Sequence, residues 1–293
     1  MEAKDRIIIP LDVKSVNDAL ELVEMLQDYV WGFKVGLELF SAEGPDVIKK
    51  LKDFGAKNIF FDGKWMDIPN TVAGAARAIV KLGVQMVNVH TLGGHQMMAE
   101  TMRAVYAEVS DEMKRPKVLG VTILTSLAYE DLVEMGIFDE VVCDPMKRQQ
   151  VMDDRIENLI VEHLTQSAWN VGLDGVIASP KEIKAIRHAF GWNILIVTPG
   201  VRPVWAAAND QKRVMTPYEA ILAGADLLVI GRPITNPPES IGTPVDAAKK
   251  IAEEIQIALD ELKTKFYKRE DPPLSLNETQ NTESVEALGT AAR

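Results

Sequence analysis

Two carboxylates and a lysine lie close together in the segment Asp62-Gly63-Lys64-Trp65-Met66-Asp67. Asp62 and Lys64 are two positions apart, so on a β-strand their side chains point to the same face. Opposite charges on a buried face are costly to desolvate, so their presence there suggests a functional role. A structural ion pair at a strand end remains the alternative interpretation. Ile68-Pro69 then predicts an extended exit from the strand, and Asn70 is a predicted helix N-cap.

Lys34 stands at the end of the preceding apolar run, residues 30–35. Adjacent strands lie about 4.8 Å apart, so Lys34 can reach Asp62. The sequence therefore predicts an alternating array of charges, formed by Lys34, Asp62, Lys64 and Asp67. Neighbouring carboxylates favour the protonated form of a lysine. A protonated lysine is a poor nucleophile for a covalent imine, but it can donate a proton and stabilise a developing anion.

Two glycine- and arginine-containing loops predict a second, anion-binding site. Thr198-Pro199-Gly200-Val201-Arg202-Pro203 follows one apolar run, and Ile230-Gly231-Arg232-Pro233 follows the next. Gly231 lets the backbone approach a ligand closely, and Arg232 offers a bidentate fork for phosphate. A loop that carries a solvated arginine is the alternative interpretation.

Eight short apolar runs, each followed by an amphipathic segment, must position these residues. The predicted strands are residues 7–13, 30–35, 58–64, 85–90, 117–124, 175–178, 194–198 and 227–231. The predicted helices are 15–26, 45–54, 70–82, 95–109, 180–190, 217–223 and 245–267, with a mostly helical stretch over 129–171. Eight such units predict an α/β protein, a single-domain (β/α)8 TIM barrel. An open doubly wound sheet is the second choice, because no G-x-G-x-x-G follows the first strand.

Composition and charge restrict the class of protein. The 293 residues are 47% hydrophobic and 26% charged, as expected of a globular protein with a large core. The net charge of −11 argues against nucleic acid as a partner. The single cysteine, Cys143, and four histidines do not suggest a disulfide or a zinc site. We expect no secretory leader and no membrane span, and hence a cytoplasmic protein.

The expected organisation is a catalytic barrel over residues 1–268 with a helical insertion near 137–157. Residues 269–293 hold few large apolar groups, so they are expected to form a mobile tail.

Taken together, these residues resemble the orotidine 5′-phosphate decarboxylase family. The resemblance rests on Asp62-x-Lys64-x-x-Asp67-Ile68-Pro69-Asn70-Thr71 and covers about residues 6–265. Further matching blocks are Leu11-Asp12-Val13, Phe33-Lys34-Val35-Gly36, Leu124-Thr125-Ser126, the two arginine loops and Asp210-Gln211-Lys212-Arg213-Val214-Met215-Thr216-Pro217. The sequence departs from the family pattern at Gly63 and Met66, which affects packing rather than charge.

The resemblance implies a homodimeric barrel that needs no metal or organic cofactor and converts orotidine 5′-monophosphate to uridine 5′-monophosphate and CO2. It implies that Lys64 protonates C6 and that Asp62 lies beside the departing carboxylate. Lys34 would hold Asp62 and contact the ribose, and Asp67 would complete the array from the partner subunit. The implied substrate-binding residues are Asp12, Thr71, Thr125, Ser126, Pro199, Arg202, Gln211, Gly231 and Arg232.

Two other functions stay open at this point. The first is a related barrel decarboxylase or aldolase for acyclic sugar phosphates, which reuses Asp-x-Lys-x-x-Asp but usually needs Mg²⁺. The second is a non-catalytic nucleotide-binding protein, against which the intact set of charges argues.

Overall fold

The computed structural model describes residues 2–109, 111–141, 143–206 and 215–268, with side chains as far as residue 265. The predicted mobile tail, residues 269–293, lies outside the described residues. The predicted barrel is confirmed, because eight parallel strands pair in chain order and the eighth closes onto the first. The strands are β1 (Ile7–Pro10), β2 (Gly32–Val35), β3 (Ile59–Trp65), β4 (Met86–His90), β5 (Lys117–Val121), β6 (Gly175–Ile177), β7 (Leu195–Pro199) and β8 (Leu227–Val229).

Helices surround the barrel and connect its strands. They are α1 (Val16–Leu26), α2 (Leu37–Glu43), α3 (Asp46–Asp53), α4 (Pro69–Val80), α5 (Gly94–Glu108), α6 (Tyr129–Glu134), α7 (Arg148–Asn158), α8 (Gln166–Val171), α9 (Ile183–Phe190), α10 (Pro217–Ala223), α11 (Arg232–Thr235) and α12 (Pro244–Lys268). A π-helical stretch, Leu159–Thr165, joins α7 to α8. Among the described residues of the predicted insertion near 137–157, regular helix begins at Arg148.

The start of α4 differs from the expectation at Asn70. Ile68 is the N-cap residue, with extended backbone angles, and Pro69 occupies the first helical turn. Proline has no N–H to satisfy and its φ angle already suits the first helical position. The expectation of Asn70 as N-cap was therefore wrong by two positions, and Asn70 lies inside the helix.

The interior of the barrel changes from apolar to polar along the strands. Its lower part is a separate cluster of buried side chains from six strands, namely Ile8, Phe60, Met86, Leu119, Val197 and Leu227. Side chains two positions further along a strand face the same way. Phe60 is thus followed on the interior by Asp62, and Met86 by Asn88. The polar residues consequently collect at the carboxyl ends of the strands, where barrels carry their active sites.

Candidate active site

Three of the four charged side chains predicted to meet, Lys34, Asp62 and Lys64, do so at the mouth of the barrel. The Lys64 Nζ atom lies 2.7 Å from Oδ2 of Asp62, and the Lys34 Nζ atom lies 3.2 Å from the same oxygen. Lys34 also lies 3.2 Å from Oδ1 of Asp12. Asp62 is only 6% exposed, so one buried carboxylate holds two ammonium groups.

The opposite face of β3 explains why Gly63 follows Asp62. The rings of Phe61 and Trp65 pack together there, with their centroids 5.6 Å apart. A Cβ atom at Gly63 would lie 2.5 Å from the ring of Phe61 and 2.9 Å from Nε1 of Trp65. The glycine therefore lets two aromatic rings close over the outer face while Asp62 and Lys64 point inward.

Burial raises the pKa of the Asp62 carboxyl, but Lys34, Lys64 and hydrogen bonds from Lys64 and Asn88 outweigh that effect and hold the pKa below its usual value. The pKa of His90, at the end of β4, is lowered by burial and by the charge of Lys64, against an opposing effect of Asp62. The site is thus built to keep Asp62 ionised.

A cavity of about 350 Å³ opens beside these charges, a volume suited to a small-molecule ligand. Its lining residues are Pro10, Asp12, Lys34, Phe60, Asp62, Lys64, Thr125, Ile177, Pro199, Gly200, Val201, Arg202, Val229, Gly231, Arg232 and Pro233. Four of these are basic and two are acidic, so the cavity favours an anion although the whole chain is acidic. A Cβ atom on Gly231 would lie 3.0 Å from Pro10, so a side chain there would crowd the cavity wall.

Three residues that the sequence assigned to the site do not line this cavity within the described part of the chain. Asp67 is exposed, and its Oδ1 atom accepts a hydrogen bond of 2.6 Å from the backbone N–H of Ile68. Thr71 and Ser126 are also exposed and lie outside the lining set. Gln211 lies outside the described residues. The array of four charges is therefore a cluster of Lys34, Asp62 and Lys64 with Asp12, and Asp67 is not part of it within one chain.

A larger cavity, of about 730 Å³, borders the first and shares Thr125 with it. It is lined by the loops after β5 and β6 and by α7, including Ile156 and Glu157. We place the candidate site in the smaller cavity, because the buried charges and both arginines converge there.

Sequence reasoning missed Asn88. This residue is fully buried on β4 and contacts both Asp62 and the backbone of Lys64. The available signal was a polar residue inside the apolar run Met86-Val87-Asn88-Val89, two positions after a residue that faces the interior. Among the described residues, no group of three or more potential ligand side chains is arranged to hold a metal, and no helix is long and apolar enough to cross a membrane.

Comparison with known proteins gives consistent results across the barrel. Residues 5–251 match the model of the orotidine 5′-phosphate decarboxylase / HUMPS family. The chain is 46% identical over 263 residues to the orotidine 5′-phosphate decarboxylase of Syntrophotalea carbinolica, covering 89% of this chain and 99% of the relative. It is 47% identical to the enzyme of that name from Moorella thermoacetica, over 88% of this chain and 94% of the relative.

A solved structure supports the same conclusion. The orotidine 5′-phosphate decarboxylase of Lactobacillus acidophilus superposes with a TM-score of 0.68 at 33% identity, covering 86% of this chain and 99% of that structure. The resemblance inferred from the motifs is therefore confirmed, and this chain belongs to the orotidine 5′-phosphate decarboxylase / HUMPS family.

Proposed function

We propose that this protein decarboxylates orotidine 5′-monophosphate to uridine 5′-monophosphate and CO2, the last step of pyrimidine nucleotide synthesis, and that Lys64 stabilises and protonates the C6 carbanion. One observation carries the assignment of Lys64. Its ammonium group lies 2.7 Å from the buried carboxylate of Asp62 and lines the same cavity as Arg202 and Arg232. The names of the relatives favour this reaction over the sugar-phosphate chemistry that remained open from the sequence.

Decarboxylation leaves an electron pair on C6 that the ring cannot delocalise, so the protein must stabilise it electrostatically. The bond between C6 and the carboxylate carbon breaks, CO2 departs, and the electron pair stays in an sp2 orbital outside the ring π-system. A preorganised ammonium group lowers the energy of that localised charge without having to reorient. Lys64 then transfers a proton to C6, which gives the product, and solvent reprotonates the amine. General acids of this kind contribute about 10²–10⁴-fold in rate.

Asp62 has two roles in this proposal. Its Oδ2 atom orients Lys64 and Lys34, and its negative charge lies beside the substrate carboxylate, which CO2 loss removes. Destabilisation of the bound substrate by this repulsion is a contested type of contribution, so we assign the larger share to the ammonium group.

In this proposal the predicted substrate-binding residues divide the nucleotide among them. We assign the ribose to Asp12 and Lys34, and the pyrimidine to Thr125 and Ser126. The residues assigned to the phosphate are Arg202, Gln211, Arg232, Pro199 and Gly231. Arg202 and Arg232 line the same cavity as Pro199 and Gly231, which supports the phosphate assignment. Phosphate held at a distance from C6 supplies binding energy that positions the reacting carbon.

We also propose a homodimer in which Asp67 and Thr71 serve the partner's site. Two large apolar side chains that flank Asp67 are exposed, Met66 at 57% and Ile68 at 67%. Exposed apolar side chains next to a functional residue favour an interface. Mixed dimers of Asp67→Asn and Lys64→Ala subunits should regain part of the activity that each homodimer lacks, because one of the two sites is then intact. No recovery in a preparation shown to contain the heterodimer would contradict shared sites.

The decisive assay for the reaction is the loss of orotate ultraviolet absorbance when the purified protein meets orotidine 5′-monophosphate. Activity that survives EDTA supports the cofactor-independent reaction. No turnover of orotidine 5′-monophosphate, together with Mg²⁺-dependent turnover of an acyclic sugar phosphate, would favour the sugar-phosphate alternative. Absence of turnover together with tight nucleotide binding would favour the non-catalytic alternative. A cytoplasmic location is part of the same proposal, and cell fractionation tests it.

A further inference from the structure

The strand pair β3–β4 is irregular where the charges lie. Phe61 pairs with Val87 and Trp65 pairs with Val89, so the register shifts between these two pairs. Residues 62–64 of β3 therefore stand opposite Asn88 alone. Such bulges leave backbone groups without a strand partner and re-aim the side chains of the longer strand.

The side chain of Asn88 fills the gap that the bulge leaves. Its Nδ2 atom donates a 2.6 Å hydrogen bond to Oδ1 of Asp62. Its Oδ1 atom accepts a 2.7 Å hydrogen bond from the backbone N–H of Lys64. Lys64 has a φ angle of 46° and is the one non-glycine residue with positive φ among those described. The hydrogen bond to Asn88 thus stabilises a backbone conformation that lysine rarely adopts.

Resting on the function proposed above, we propose that Asn88 is a positioning residue for the decarboxylation, one that fixes the Asp62 carboxylate and the Lys64 backbone in a single arrangement. With Oδ1 of Asp62 bound to the amide, Oδ2 faces both Lys34 and Lys64. Rotation of the carboxylate out of this arrangement would weaken the contact of Oδ1 with Asn88 and both contacts of Oδ2.

A carboxamide meets both demands at this position through two separate atoms. The side chain must donate to a carboxylate and accept from a backbone N–H, and the amide of asparagine does both. Aspartate keeps the acceptor but loses the donor, and it places a second negative charge against Asp62. Alanine loses both groups and leaves Oδ1 of a buried carboxylate without that partner. The other charged or titratable groups that face Asp62 are Lys34 from β2, Lys64 from β3 and His90 from β4.

Gln85 provides a matched control on the same strand pair. Its Oε1 atom accepts a 2.8 Å hydrogen bond from the backbone N–H of Ile59, and its Nε2 atom donates to the carbonyl of Gly83 at 2.9 Å. This amide also joins the β4 side to β3, but at the opposite end of the strands. If the amide of Asn88 only stabilised the strand pair, its replacement should affect stability and kcat in the same way as replacement of Gln85.

The test compares Asn88→Ala, Asn88→Asp and Gln85→Ala with the parent protein. We measure kcat and KM for orotidine 5′-monophosphate against pH, the dissociation constant of uridine 5′-monophosphate, thermal unfolding, and the ionisation of Asp62 by carboxyl ¹³C NMR. Asn88→Ala is expected to lower kcat by about 10- to 100-fold, as loss of a hydrogen bond to a charged group implies. Product binding should change less than about threefold, because the phosphate contacts are untouched.

The pKa of Asp62 should rise in both Asn88 variants and remain unchanged in Gln85→Ala, and the acid limb of the kcat/KM profile should move to higher pH. Asn88→Asp conserves shape and the acceptor, so it serves if the alanine variant does not fold. A kcat within threefold of the parent, an unchanged Asp62 titration, or equal losses in Gln85→Ala at equal stability would overturn the proposal. If the parent shows no turnover, the proposed function fails, while the Asp62 titration still decides the role of Asn88.

Discussion

Replacement of Lys34 by methionine tests how much the ammonium group of Lys34 contributes to the charge cluster. Methionine keeps most of the apolar stem, so the change removes chiefly the ammonium group. That group lies 3.2 Å from Asp62, whose side chain is 8% exposed, and 3.2 Å from Asp12, whose side chain is 62% exposed. The two contacts have the same length but differ greatly in solvent access, so their contributions differ as well.

The expected loss of stability follows from these distances. At an effective dielectric of about 20, two unit charges 3.2 Å apart attract by roughly 5 kcal/mol. Part of this is offset because the variant no longer has to desolvate an ammonium group. The exposed contact with Asp12 adds less than about 1 kcal/mol. Since Asp62 retains Lys64 and Asn88, we expect Lys34→Met to reduce the free energy of unfolding by about 2–3 kcal/mol, and kcat/KM to fall by at least about tenfold.

The pH dependence of the loss distinguishes this reasoning from simple loss of packing. The pKa of Asp62 is depressed in the folded protein, so its ionised form stabilises the fold above the unfolded-state pKa. That stabilisation is lost as pH falls through the folded-state pKa. The difference between parent and Lys34→Met should therefore be largest at neutral pH and shrink in acid.

Urea unfolding at neutral and acid pH measures this difference, with Lys57→Met as the control. Lys57 lies 2.9 Å from Asp28, closer than Lys34 is to Asp62, but both partners are about two-thirds exposed. Its replacement should therefore cost less than about 1 kcal/mol. A loss for Lys34→Met that is independent of pH, or no greater than the loss for Lys57→Met, would refute the reasoning.

Two other replacements separate binding from stability. Arg232→Ala should weaken binding of uridine 5′-monophosphate by about 10- to 100-fold, because a charge-assisted contact is lost, and leave uridine binding unchanged in calorimetry; equal losses for both ligands would contradict the phosphate assignment. Asp174→Asn removes a bidentate partner of Arg115, with N–O distances of 2.6 and 2.8 Å, at the opposite end of the barrel. It should lower the free energy of unfolding by about 3 kcal/mol with kcat unchanged, and its effect should fade in acid because the pKa of Asp174 is depressed; a fall in kcat would contradict a purely structural role.

The periodicity of the sequence predicts the barrel well, because a buried parallel strand needs an apolar run. Several predicted strands extend too far, as in residues 117–124, where β5 ends at Val121. The run continues there because Thr122 and Ile123, which follow the strand, are themselves buried. Helix α2 was missed, since Gly36 precedes it and no side chain caps its first turn.

In the site, some features follow from the local sequence pattern, whereas others depend on how separate strands pair. The shared face of Asp62 and Lys64 follows from their spacing, and the position of Lys34 follows from strand adjacency. The contacts of Asn88 depend on the register shift between β3 and β4, which no single-strand pattern contains. The distance of Asp67 from the cluster depends on the path of the chain after Trp65, and spacing along the sequence does not determine it.

Exchange of the C6 hydrogen of uridine 5′-monophosphate in D2O tests the central claim most directly, because the reverse of protonation by Lys64 generates the same carbanion. Proton NMR should show that the parent protein replaces this hydrogen with deuterium. Lys64→Ala should bind the nucleotide yet lose both exchange and decarboxylation, each by at least about 10³-fold, since proton transfer and charge stabilisation disappear together. Exchange or decarboxylation in Lys64→Ala within tenfold of the parent would contradict the account.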